Sequence, residues 1–126
     1  MYGFWLFMLV MDLLIPATMI YIGRRYQRKP PKEINSLSGY RTSMSMKNQD
    51  TWKFAHNYVG KIWFTSGIVV IIPTIFIFMY LFGKRADTIG YIGGAICFIE
   101  MIPMIGSILP TEKALHKTFD INGYRK

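Results

Sequence analysis

The chain has 126 residues, 52% of them hydrophobic and 16% aromatic, and a net charge of +8. That length holds one domain, and its charges are segregated rather than spread. Ile62 to Gly83 carries no charged residue, Met1 to Gly23 only Asp12, and Thr88 to Thr111 only Glu100; three long apolar runs in so short a chain exclude an ordinary basic soluble domain.

The first run, MYGFWLFMLVMDLLIPATMIYIG, predicts a membrane helix over residues 2–23. No basic residue precedes its apolar core, and the cluster Arg24, Arg25, Arg28 and Lys29 follows it. A signal peptide has the reverse charge order, so the run reads as a retained helix. Residues 24–60 form a polar, basic loop. Its first part, QRKPPKEINSLSG, is rich in proline and polar residues and predicts extended or irregular chain. From Asn48 onward Trp52, Ala55, Val59 and Ile62 recur at helical spacing, with Lys53, Asn57 and Lys61 on a more polar strip. This predicts an amphipathic cytoplasmic helix, lying at the membrane surface or leading directly into the second span. Asn48 or Ser45 supplies its cap, and Asp50 suits the positive end of its dipole.

The second span covers residues 61–82 and the third 89–109, joined by the short turn FGKRADT. The tail, 110–126, places Leu115 and Phe119 four apart on a short helix that stops at the turn signal Asp120–Gly123. At about 1.5 Å per residue each span crosses the ~30 Å hydrocarbon layer, and helices are the default because lipid offers no partner to an open sheet edge. The expected fold class is therefore all-α integral membrane, with three transmembrane helices in a single membrane domain. Lys and Arg concentrate in the loop and the tail, so the positive-inside rule puts those in the cytoplasm, with the N-terminus and the Lys84–Asp87 turn outside.

Asp12 and Glu100 lie near the centres of their spans. A carboxyl at that depth costs about 2.5 kcal/mol or more and usually faces a bundle interior, a partner or water. Either the pair forms part of an ion or proton pathway, or each is a protonated carboxyl that ties neighbouring helices together. Gly90, Gly93, Gly94, Cys97, Glu100, Met104 and Ser107 share one broad face, whose small residues favour close helix approach. Gly90 and Gly94 could serve a homodimer or intrachain packing. Pro16, Pro73 and Pro103 each sit inside a span, and Pro16 releases the carbonyl of Asp12. The single cysteine and two distant histidines give no metal-ligand spacing, and no metal or other cofactor is expected. The basic residues beside a membrane point to anionic lipids rather than nucleic acid. Catalysis finds no motif in support: His56 and Asp50, six apart, fall on different sides of a helix, and His56 reads as a solvated surface histidine.

The stretch GYRTSMSMKNQDTWKFAHNYVGK resembles the signature of the SdpI/YfhL family of bacterial membrane immunity proteins, through Gly39, Tyr40, Arg41, Thr42, Ser45, Lys47, Trp52, Ala55, His56, Gly60 and Lys61. The ending TEKALHKTFDINGYRK is similar to the family's, through Glu112, Leu115, Phe119, Asp120, Gly123 and Arg125. The resemblance implies a non-enzymatic protein of the bacterial cytoplasmic membrane that resists a membrane-active peptide toxin, with a cytoplasmic repressor as a further partner in longer, six-span members. It implies binding roles for Tyr40, Arg41, Thr42, Ser45, Trp52, His56, Lys61, Asp120 and Arg125. Tyr40, Arg41 and Asp120 are expected to form one cluster bracing the loop against the tail, because the planar fork of an arginine clamps a carboxylate. Two other readings stand beside this one: a small proton-coupled transporter using Asp12 and Glu100, and a membrane enzyme handling a lipid headgroup with Arg41, His56 and Lys61.

Overall fold

The computed structural model describes residues 2–29, 32 and 40–126. The expected irregular run before residue 40, and Gly39 of the signature, lie mostly or wholly outside the described residues. Four helices make up the fold: α1 (Gly3–Arg28), α2 (Gln49–Leu81), α3 (Ala86–Gly106) and α4 (Ile108–Thr118). Three stretches, Gly3–Arg28, Gln49–Leu81 and Ala86–Thr118, are long and apolar enough to cross a membrane. The only β feature among the described residues is an isolated bridge between Phe119 and Arg125.

The helices outrun the predicted spans. The first continues past Gly23 to Arg28 and stops just before the Pro30-Pro31 pair, where the residue preceding a proline is pushed out of helical geometry. The stretch expected as a helix before the second span is the start of α2 itself, unbroken into the apolar run. Asn48 caps it: its side chain accepts from the Thr51 N–H, while the Thr51 hydroxyl accepts from the Asn48 N–H. Ser45, the other candidate cap, instead offers its carbonyl to the Thr51 hydroxyl at 3.0 Å. The third span is interrupted once, at Ser107, between Pro103 and Pro110. Both prolines lack an N–H, so the ladder is thinned on either side of the junction.

α1 runs antiparallel to α2 and packs along it, with a lesser contact to α3. Glycines set that spacing. A Cβ on Gly23 would lie 2.6 Å from the Gly60 carbonyl oxygen, one on Gly60 would lie 2.6 Å from the Gly23 oxygen, and one on Gly67 would lie 2.9 Å from the Pro16 oxygen. The helix backbones therefore touch, the arrangement by which helices associate where lipid is the solvent. The glycine face expected on the third span contributes less. Gly93 is tight against Met8 and Asp12, Gly90 meets only the edge of Phe4, and Gly94 faces open space.

Two apolar clusters occupy the two ends. Phe78, Leu81, Ile89 and Ile96 pack with Trp5, Met8, Leu9 and Ile92 beside the N-terminus and the α2–α3 turn. There Trp5 Nε1 donates to the Phe78 carbonyl (2.8 Å), which the end of α2 leaves without a helical partner because Phe82 N–H turns to Met79. At the opposite end Tyr40, Met44, Ala55, Val59, Leu115 and Phe119 pack with Tyr26, Phe54 and Trp63. Large apolar side chains, among them Phe76, Tyr80, Tyr91 and Phe98, cover the outside between these ends, as lipid-facing helices require.

Candidate functional site: the loop–tail cap and the buried acids

The signature residues gather at the end that carries the basic cluster, and hydrogen bonds wire them inward. Tyr40 is the hub. Its N–H donates to His56 Nε2 (2.9 Å), and its hydroxyl donates to Glu112 Oε2 (2.8 Å). Thr42 Oγ1 donates to the same carboxylate oxygen at 2.9 Å. Ser45, fully buried, accepts from the Thr42 N–H (2.9 Å) with its Oγ, which also lies 3.1 Å from the Tyr40 carbonyl and 3.0 Å from that of Thr42. One turn of loop is thereby closed on itself and fastened to α2 on one side and α4 on the other.

His56 is corrected by this geometry. Expected on the surface, it is fully buried between Trp52, whose ring centre lies 4.3 Å away, and Tyr26, at 4.7 Å. Its Nδ1 lies 2.8 Å from the Trp52 carbonyl, an acceptor only, so Nδ1 carries the proton and Nε2 is free to accept from Tyr40. The surface reading failed because exposure is confined to the strip of Lys53, Asn57 and Lys61, while the loop folds over the neighbouring face and bonds to His56 through the Tyr40 N–H.

The expected brace between loop and tail exists, but not through Arg41 and Asp120. Asp120 Oδ1 accepts from the N–H groups of Asn122 and Tyr124, both at 2.9 Å, and so organises its own turn. The ion pair joining this region to the tail is Arg125 to Asp50, a two-pronged contact at 2.8 Å for each bond, with the guanidinium also over the Phe119 ring. Asn48 Nδ2 donates to the Gly123 carbonyl at 2.7 Å. Gly123 has φ +88°, and a Cβ there would lie 2.8 Å from Lys47 Cβ and from Asn48 Nδ2, so conformation and space both demand glycine. Arg41 is exposed and, with Thr42, lines a pocket of about 300 Å³ walled by Tyr26, Trp63 and Ile108. Beside it Trp63 Nε1 donates to Ser107 Oγ (2.8 Å), which fastens α2 to the α3–α4 junction. Lys61 stands exposed one residue past the Gly60 contact.

Glu112, Asn48 and Asp50 carry the cap but were not among the expected site residues. Each partner lies 70 or more residues away, Tyr40–Glu112 at 72 and Asp50–Arg125 at 75. No local spacing signals such a contact; the only trace of it is that Glu112, Gly123 and Arg125 fall in the second family-like segment.

Asp12 and Glu100 are 2% and 0% exposed. Glu100 Oε2 lies 3.2 Å from the Thr74 hydroxyl, while Glu100 Oε1 and Asp12 Oδ2 are buried with no hydrogen-bond partner among the described residues. Asp12 Oδ2 sits against Gly93, where a Cβ would come within 3.4 Å of it. The two acids thus occupy a middle layer between the apolar clusters, where desolvated oxygens without partners are costly.

Helices, cap and buried acids define an all-helical protein with three helices long and apolar enough to cross a membrane, closed at one end by its loop and tail. The chain belongs to the SdpI/YfhL protein family, which matches residues 32–111. The YfhL protein of Bacillus subtilis (strain 168) is 42% identical over 52 residues, a stretch covering 41% of this chain and 47% of that relative. The match thus spans about half the length of the curated relative. No solved structure matches the chain.

Proposed function

We propose that this protein is a non-catalytic immunity protein of the bacterial cytoplasmic membrane, which binds or neutralises a membrane-active peptide toxin. The observation that carries this reading is the family match, which runs from the loop through the second and third spans. On this reading the basic end faces the cytoplasm, and a toxin arriving from outside meets the apolar helix faces or the far turn first. The signature then acts at a distance, by fixing how the three helices sit. Tyr40, Thr42, Ser45 and His56 spend their polar groups on internal bonds, which suits bracing better than ligand capture. The enzyme alternative is weakened by the same bonds, because both nitrogens of His56 are engaged. A role in holding a cytoplasmic repressor would fall to the exposed residues of this end, Arg41 and Lys61 among them.

The transporter reading keeps one observation in its favour, the unpartnered oxygens of Asp12 and Glu100. One experiment separates the two. Toxin-sensitive cells expressing the chain are challenged with a membrane-depolarising peptide and compared with cells carrying an empty vector; vesicles from the same cells are assayed for pH-driven flux. Immunity predicts a survival gain that Glu100→Gln largely retains and no flux. Flux abolished by Glu100→Gln, without a survival gain, would replace immunity with transport.

A further inference from the structure

A groove opens on the outer side of α1 where it meets α2. It has a volume of about 670 Å³ and runs along α1 beside α2 at the basic end. Its floor is apolar, formed by Ala17, Ile20, Phe64 and Ile71, and its mouth is ringed by Arg24, Arg25, Arg28 and Lys29. None of the described lining residues is acidic. Arg24 and Arg28 are four apart, as are Arg25 and Lys29, so like charges stack along one helical turn, an arrangement that disfavours itself unless an anion lies between. The Arg24 guanidinium sits 5.5 Å from the centre of the Phe64 ring, at the border of charge and oil.

Dimensions decide what fits. From Ala17 to Arg28 is eleven residues, or ~16 Å of helix rise, which is about half of the ~30 Å hydrocarbon layer. The groove therefore spans one leaflet, with its cations at headgroup depth and its apolar floor at acyl-chain depth. A soluble anion would use only the rim and a neutral lipid only the floor. Topology alone accounts for basic residues beside a span, but not for an apolar channel ending among them.

We propose that this groove is a binding site for a single anionic phospholipid, with its phosphate between Arg24 and Arg28 and one acyl chain along Ala17, Ile20 and Ile71. The site rests on the membrane reading of the fold and is independent of the immunity reading. Bound lipid bridges α1 and α2 beside their glycine contact at Gly23 and Gly60.

Native mass spectrometry of the full-length protein in detergent tests this directly, with added phosphatidylglycerol, phosphatidylcholine or inorganic phosphate. The expected result is one retained phosphatidylglycerol, little phosphatidylcholine, and no displacement by phosphate at matching concentration. Removing two cations with Arg24→Gln/Arg28→Gln is expected to weaken retention about tenfold or more. Ala17→Phe, which fills the exposed floor without changing charge, is expected to weaken it as well. Lys84→Gln/Arg85→Gln, the same charge change at the other end, is expected to retain lipid like the unaltered protein. Retention unchanged in either groove variant, equal loss in the Lys84/Arg85 variant, equal retention of phosphatidylcholine, or displacement by phosphate would each overturn the site.

Discussion

Tyr40 joins the loop to α2 through its backbone and to α4 through its side chain. Burial first, then the hydrogen bond and charge of Glu112, push its phenol above the ordinary value near 10. The folded protein thus favours the protonated phenol. Its contribution is fully present below about pH 10 and is lost as the pH rises from there through the higher folded value. Tyr40→Phe removes the donor and leaves the Glu112 carboxylate with Thr42, at an expected cost of about 1–2 kcal/mol. Unfolding of the two proteins in detergent, followed by fluorescence, should show a stability gap that is flat from about pH 6 to about pH 9 and closes only above about pH 10. A gap that closed on acidification would mean that another group, not this phenol, sets it.

At the scale of helices, the contact that fixes α1 on α2 is glycine against glycine. Gly60→Ala drives a Cβ into the Gly23 carbonyl, where backbone must move, and overpacking of this kind costs about 1–3 kcal/mol. Gly94→Ala meets nothing within 4 Å and should be neutral, or slightly stabilising through helix propensity. Thermal unfolding of the two variants side by side checks the contrast; a Gly94 variant as damaged as the Gly60 variant would show that Gly94 is covered by a second copy. Little of this was legible beforehand. Gly90, Gly93 and Gly94 stand out in the sequence because they share one face of a predicted span, whereas Gly23 and Gly60 are isolated and acquire meaning only when two distant helices cross. The extents of the helices were legible, the start of α2 at the Asn48 cap included, except at the end of α1, which runs on to Arg28, just before the Pro30-Pro31 pair.

For the whole molecule, the three spans could be read from the chain because lipid permits few solutions: a long uncharged run must be a helix. The cap could not. Its bonds link Tyr40 and Thr42 to Glu112, Asn48 to Gly123 and Asp50 to Arg125, all between polar groups that any loop might carry. The two family-like segments turn out to be the two halves of this one structure. The family signature thus closes one end of a three-helix bundle. A double-mutant cycle on Tyr40→Phe and Glu112→Ala, read by unfolding in detergent, tests it most directly. The expected coupling between the two positions is about 1–2 kcal/mol. Additivity to within about 0.5 kcal/mol would contradict it.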